Sequence, residues 1–160
     1  MLAVLYGFGI PHAAAQTQAT PPSTSGDKQS VPQGDAMLVL VRTTLLTLND
    51  ALKTGNFSIF RDYIAPSVRE QNGALQLFKT YAHLIDRRLD LSAVAILEPK
   101  YDPAPQIDAS GRLIVSGSYP EPSLTIRFSI AYELVARRWK IYGLNLTAER
   151  GHSSGVVKPK

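Results

Sequence analysis

The sequence predicts an α+β domain in which helices come first and an antiparallel sheet follows. Three observations carry that expectation. Residues 113–146 read as three successive strands, and in the second Leu124, Ile126, Phe128, Ile130, Tyr132 and Leu134 alternate with Thr125, Arg127, Ser129, Ala131 and Glu133. A period of two over that length marks a strand with one buried face. Upstream, Val41, Leu45, Leu48 and Leu52 fall on one face of a helix. Helical patterns are confined to the first part of the chain and strand patterns to the second, so the two kinds of element are segregated.

The chain opens on an apolar run over residues 1–10, followed by Ala13, Ala14, Ala15 and Gln16. Small residues in that place resemble a signal-peptidase site, so residues 1–15 are expected to be a signal peptide and the mature protein periplasmic or secreted. No Lys or Arg precedes the run. It is too short to cross a bilayer, and no stable membrane span is expected. Residues 16–35, rich in Thr, Ser, Pro, Gln and Gly, read as a flexible linker, and residues 149–160 as a disordered tail. The folded domain is expected over residues 36–148.

Within it Asp35 caps the first helix, and Lys53-Thr54-Gly55 ends it, glycine suiting the left-handed position past a helix C-terminus. Asn56 caps a short second helix whose buried side is Phe57, Phe60 and Ile64; Pro66 stops it. A third helix is expected over residues 72–88, with Leu75, Phe78, Ala82, Ile85 and Leu89 as its apolar stripe. A first strand is expected over residues 92–97. Pro103 and Pro105 demote residues 101–106 to an edge strand or an irregular connection. Asp108-Ala109-Ser110-Gly111 is a turn signal, residues 113–119 a strand, and Ala136-Arg137-Arg138 a hairpin loop before the last strand, residues 139–147. In that strand Trp139 and Ile141 share one parity, Tyr142, Leu144 and Leu146 the other. Both faces of the sheet are therefore expected to be covered, one by helices and one by a partner.

The 160 residues suffice for one domain with its own core. The net charge of +4 is spread along the chain, whereas a nucleic-acid binder gathers its basic residues into a stripe, so no nucleic-acid partner is expected. Arg87-Arg88 and Arg137-Arg138 read as solvated turns or helix ends. The absence of cysteine excludes disulfides, thiolate catalysis and thiolate zinc sites. No cofactor or metal site is expected. His83 has basic neighbours and no carboxylate placed to orient it, and reads as a surface residue. Tyr63, Tyr81, Tyr119, Tyr132 and Tyr142 are the candidates for lining a ligand cavity, because each offers an apolar body and one hydrogen-bonding tip. The plainer reading of each is core filler with a wetted hydroxyl.

Three stretches together resemble the nuclear transport factor 2-like (cystatin-like) superfamily. They are residues 45–65, where a helix ends in Leu52-Lys53-Thr54-Gly55-Asn56-Phe57 and a short apolar helix leads to Pro66; the alternating strand over residues 124–134; and Arg138-Trp139-Lys140-Ile141-Tyr142-Gly143-Leu144, similar to the terminal strand common in that superfamily. The resemblance implies N-terminal helices packed in a strongly curved antiparallel sheet, a cone-shaped α+β barrel with an internal cavity, and a homodimer through the outer sheet face. Enzymes of the superfamily place acidic residues, His or Tyr inside the cone, where burial raises a carboxyl pKa toward neutrality. Here the apolar face of the long strand offers only Tyr132; Arg127 and Glu133 share the other face, and Asp86, Asp102 and Asp108 fall at a helix end and in turns. The resulting expectation is an exported small-ligand-binding or protein-interaction module without evident catalytic apparatus, taking a small apolar or amphipathic ligand. The alternative is a small isomerase, dehydratase or hydrolase acting on an apolar substrate, with an acid near Tyr132.

Overall fold

The apolar stripe at Val41, Leu45, Leu48 and Leu52 organises everything around it. In the computed structural model, which describes residues 30–120 and 124–150, these four side chains lie on the buried face of helix α1 (Asp35–Thr54). The expected signal peptide (residues 1–15), residues 16–29 of the expected linker and residues 151–160 of the expected tail lie outside the described residues. Gly34, rather than Asp35, occupies the N-cap of α1; Asp35 stands in the first turn, where its charge complements the positive end of the helix dipole. Gly55 closes the helix in the left-handed region at φ 69°.

Helix α2 (Ser58–Tyr63) follows, with Phe57 rather than Asn56 at its N-cap; the Asn56 side chain, one residue earlier, accepts the Ser58 N–H at 3.0 Å. Pro66 does not simply stop it. It starts a further one-turn helix, α3 (Pro66–Arg69), at the position where proline's missing N–H is harmless. Helix α4 (Ala74–Asp86) buries Leu77, Tyr81 and Leu84, so the expected stripe is corrected. Leu75 is 68% exposed and Phe78 38%. Both stripes have helical spacing. The aromatic cluster decides between them, because Tyr81 stacks on Phe57 at 5.9 Å and meets Phe60 edge-on, which turns its own face inward.

The expected strand over residues 92–97 is a 3-10 helix, Ser92–Ala95. Side chains of α1 supply the hydrogen bonds that a sheet would otherwise provide. The Asn49 side-chain oxygen, buried, accepts the Leu91 N–H at 2.8 Å. Arg42 donates to the carbonyls of Val94 and Leu97. With its backbone satisfied against α1, this segment has no need of a ladder.

Among the described residues the sheet has five antiparallel strands. Strands β1 (Lys100–Tyr101) and β2 (Gln106–Ile107) both pair with one edge of β3 (Leu113–Tyr119), as the prolines between them demand. Strand β4 (Leu124–Val135) lies between β3 and β5 (Arg138–Arg150), which runs past the expected end at residue 147. Ala136 and Arg137, at φ 46° and 63°, form the two-residue turn between β4 and β5. The order is open, with β1 and β2 at one edge and β5 at the other.

The β4–β5 ladder contains one irregularity, and it corrects the expectation of two apolar faces. Ala131 pairs with Gly143, but Tyr132 pairs with Ile141, leaving Tyr142 as an extra residue in β5. A bulge of one residue reverses the parity of everything beyond it. Trp139 and Ile141 before the bulge therefore share a face with Leu144 and Leu146 after it, opposite Leu134, Tyr132, Ile130 and Phe128. All but Leu134, which is 37% exposed near the hairpin, join or pack against the core shared with α1. The other face carries Ser116 and Ser129, hydrogen-bonded at 2.9 Å, with Asn145 and Thr147 in register beyond them. It is polar, and beside these small side chains it carries the Arg127–Glu149 ion pair. The end of α2 and the segment after it cover part of the β5 edge: the Ala65 N–H donates to the Ile141 carbonyl at 2.8 Å, and Lys140 Nζ to the Asp62 carbonyl at 2.9 Å.

Candidate functional site

The five tyrosines singled out in the sequence do not converge on one cavity. Tyr81 is a core residue of α4, its hydroxyl pushed up to about 12 by burial. Tyr142 stands at the bulge with the Arg112 guanidinium 3.7 Å above its ring. Since Arg112 is next to inward-facing Leu113, this contact belongs to the outer face.

Tyr119 and Tyr132 are both fully buried on the inner face. The Tyr132 hydroxyl lies 2.9 Å from Thr44 Oγ1. Thr44 has one hydroxyl proton and gives it to the Leu40 carbonyl at 3.0 Å, so Tyr132 is the donor in the pair. Burial raises its pKa well above the usual phenol value, and the bond to Thr44 only partly offsets that. It is a neutral phenol that ties the sheet to α1. The acid required by the enzymatic alternative is not its partner.

Tyr119 differs. Its hydroxyl, and that of neighbouring Tyr101, are buried without a hydrogen-bond partner among the described residues. Burial raises both pKa values, and a smaller electrostatic influence from the Arg42–Glu98 ion pair reaches each. A buried hydroxyl with no partner costs about 1–3 kcal/mol. Tyr119→Phe is therefore expected to stabilise the ligand-free protein by about 1 kcal/mol, measured by urea denaturation. A loss of stability would mean that the hydroxyl has a partner in solution.

Of the five tyrosines, Tyr63 is the one that borders a groove among the described residues. It is 37% exposed at the end of α2, with Lys140 Nζ 5.7 Å from its ring centre. It borders a groove of about 540 Å³ between the first half of α1 and the start of β5. Val39, Leu40 and Thr44 form one wall, and Trp139 and Ile141 the other. The groove is predominantly apolar, with Thr44 in its wall and Asp35 and Arg138 among its lining residues. That combination suits a small molecule with an apolar body and one hydrogen-bonding group.

Of this site the sequence reading named Tyr63, and Tyr132 behind Thr44. It missed Val39, Leu40 and Thr44. Their signal was present: Val39 and Leu40 are apolar positions beside the Val41 stripe, and Thr44 is a hydroxyl three residues from Val41 on the buried side. Trp139 was recognised as a strand residue, but its direction depended on the bulge.

Asp90, between α4 and the 3-10 helix, has the most strongly shifted carboxylate among the described residues. Hydrogen bonds from Ser92, side chain first and then backbone, together with Lys53, hold it down at about 2. Because the folded pKa lies below the unfolded value near 3.9, Asp90 adds stability above about pH 4 that disappears as the pH falls toward 2. A carbon-detected NMR titration is expected to find this carboxyl ionised at pH 3; half-protonation near pH 4 would contradict it.

Among the described residues no group of three or more His, Cys, Asp or Glu side chains is placed to hold a metal ion, and no helix is long and apolar enough to cross a membrane. Compared with family models, with curated proteins and with solved structures, the chain matches none.

Proposed function

We propose that this chain is an exported small-ligand-binding module of the nuclear transport factor 2-like kind, which holds a neutral apolar or amphipathic molecule in the groove between α1 and β5. One observation carries the reading. A cleft of about 540 Å³ with apolar walls and the polar side chains of Asp35, Thr44 and Arg138 among its lining lies in the size range of small-molecule sites. The superfamily reading draws support from the order of elements and from the bulge at Tyr142, a device that bends strands as a cone would require. Export draws its support from residues 1–15 alone. A homodimer through the outer sheet face belongs to the same reading. Its support is a patch of small side chains on that face, Ser116, Ser129, Ala131 and Asn145, bordered by the Arg127–Glu149 ion pair. Light scattering that shows a monomer at high concentration would remove the dimer and leave the groove untouched.

The groove contains the chain's single tryptophan, which makes the test direct. Titration with 1-decanol is expected to shift Trp139 emission to the blue in a saturable way. Val39→Asp, at a position 61% exposed where a charge does not disturb the core, is expected to weaken that binding about tenfold. Emission that stays unchanged with decanol, or equal affinity in Val39→Asp, would show that the groove is not the site.

A further inference from the structure

At the opposite end of β5 the structure holds a second cleft, unrelated to the groove. Its floor is apolar: Leu84 and Leu89 from the end of α4 and the residues after it, Leu124 from β4 and Ala148 from β5. Its volume is about 530 Å³, and Arg87, Arg88 and Asp90 complete the lining.

The end of α4 explains how the arginines come to stand there. The Leu89 N–H donates to the Leu84 carbonyl at 3.0 Å and the Arg88 N–H to the Ile85 carbonyl at 2.8 Å. These are the two bonds of a Schellman motif, and they force the residue between them into the left-handed region. That residue is Arg88, at φ 51°. Glycine is the usual occupant, because a side chain there is strained against its own backbone. The equivalent position of α1 does carry glycine, Gly55. Arginine at the end of α4 is thus held against a local preference, and such positions concentrate where a side chain is needed.

The charges point the same way. Asp90 is already engaged by Lys53 at 3.0 Å and by the Ser92 N–H at 2.8 Å. Neither Arg87 nor Arg88 forms an ion pair among the described residues. A smaller cleft of about 420 Å³ adjoins the first, shares Arg88, Leu89 and Asp90 with it, and adds Lys53. The two linings together carry three cations against one anion, with the greasy floor between the strand ends and α4.

We infer that this cleft is a binding site for an amphiphilic carboxylate, its anionic head held by Arg87 and Arg88 and its apolar body lying on Leu84, Leu89, Leu124 and Ala148. The inference does not depend on the groove.

The test uses sodium decanoate below its micellar concentration, followed by the methyl signals of the four apolar residues. Saturable shifts there are expected. Decanol, with the same body and no charge, is expected to bind this cleft at least about tenfold more weakly, and acetate not to saturate. Arg87→Gln with Arg88→Gly is expected to weaken decanoate binding about tenfold or more, while Arg88→Gly alone raises the melting temperature by a few degrees, on the order of 3–5 °C. That rise separates a lost contact from a damaged fold. Equal binding of decanol, undiminished binding in the double variant or no saturable shift at these methyls would overturn the site. A decanoate response confined to Trp139 emission would overturn it too, while leaving the groove reading in place.

Discussion

Leu45→Ala is expected to lower the unfolding free energy by about 3–5 kcal/mol, the largest effect of any single substitution considered for this chain. Leu45 is 0% exposed and sits at the middle of the α1 stripe, with Val41 and Leu48 one turn to either side. Truncation removes apolar surface from the core and leaves a cavity between α1 and the sheet. A long helix and a bonded strand pair have little freedom to close over it, which places the cost in the upper part of the range. Val39→Ala is the control on the same helix. Its side chain faces the groove, and its loss is expected to change stability by no more than about 0.5 kcal/mol. Urea denaturation of both variants reads the two numbers. Equal costs would mean that α1 does not present the stripe inward.

Gly117→Ala is expected to cost about 2–3 kcal/mol for a different reason. Gly117 is in β3, directly opposite Tyr101 of β1 and Phe128 of β4. A Cβ built there would stand 2.4 Å from the Lys100 carbonyl oxygen and 3.1 Å from the Phe128 ring. The first contact is with backbone and cannot be relieved by a rotamer change. The two-residue strand β1 would have to leave its place, releasing the Asp102 N–H from the Ser116 carbonyl it now meets at 3.0 Å. Hydrogen exchange of the Asp102 amide reports this locally. Fast exchange in Gly117→Ala with slow exchange in the parent is the expected pattern, and unchanged stability would show that β1 does not approach β3 this closely.

Features with strong local causes were legible in the sequence. The α1 stripe, the left-handed Gly55, the bounds of β3 and the inward set of β4 each follow from spacing or from one residue's conformational preference. What was not legible depended on distant partners. The segment at Ser92 became a 3-10 helix because Asn49 and Arg42, more than forty residues earlier, satisfy its backbone. The face of α4 was chosen by Phe57 and Phe60. The faces of β5 were undecidable without the register to β4, since one unpaired residue at Tyr142 changes which half of the strand points inward. The candidate site inherits that difficulty. Tyr63 was nameable because it is a tyrosine, but the groove exists only once the bulge has turned Trp139 toward α1.

The claim on which the fold and the groove depend is that α1 lies across the inner face of the sheet, joined to it at Thr44 and Tyr132. An isotope-edited NOE spectrum tests it most directly. Cross-peaks between the Thr44 methyl and the Tyr132 ring protons are expected, as the 2.9 Å hydroxyl contact requires. Tyr132 ring protons that report only neighbours within the sheet, with none from α1, would contradict it.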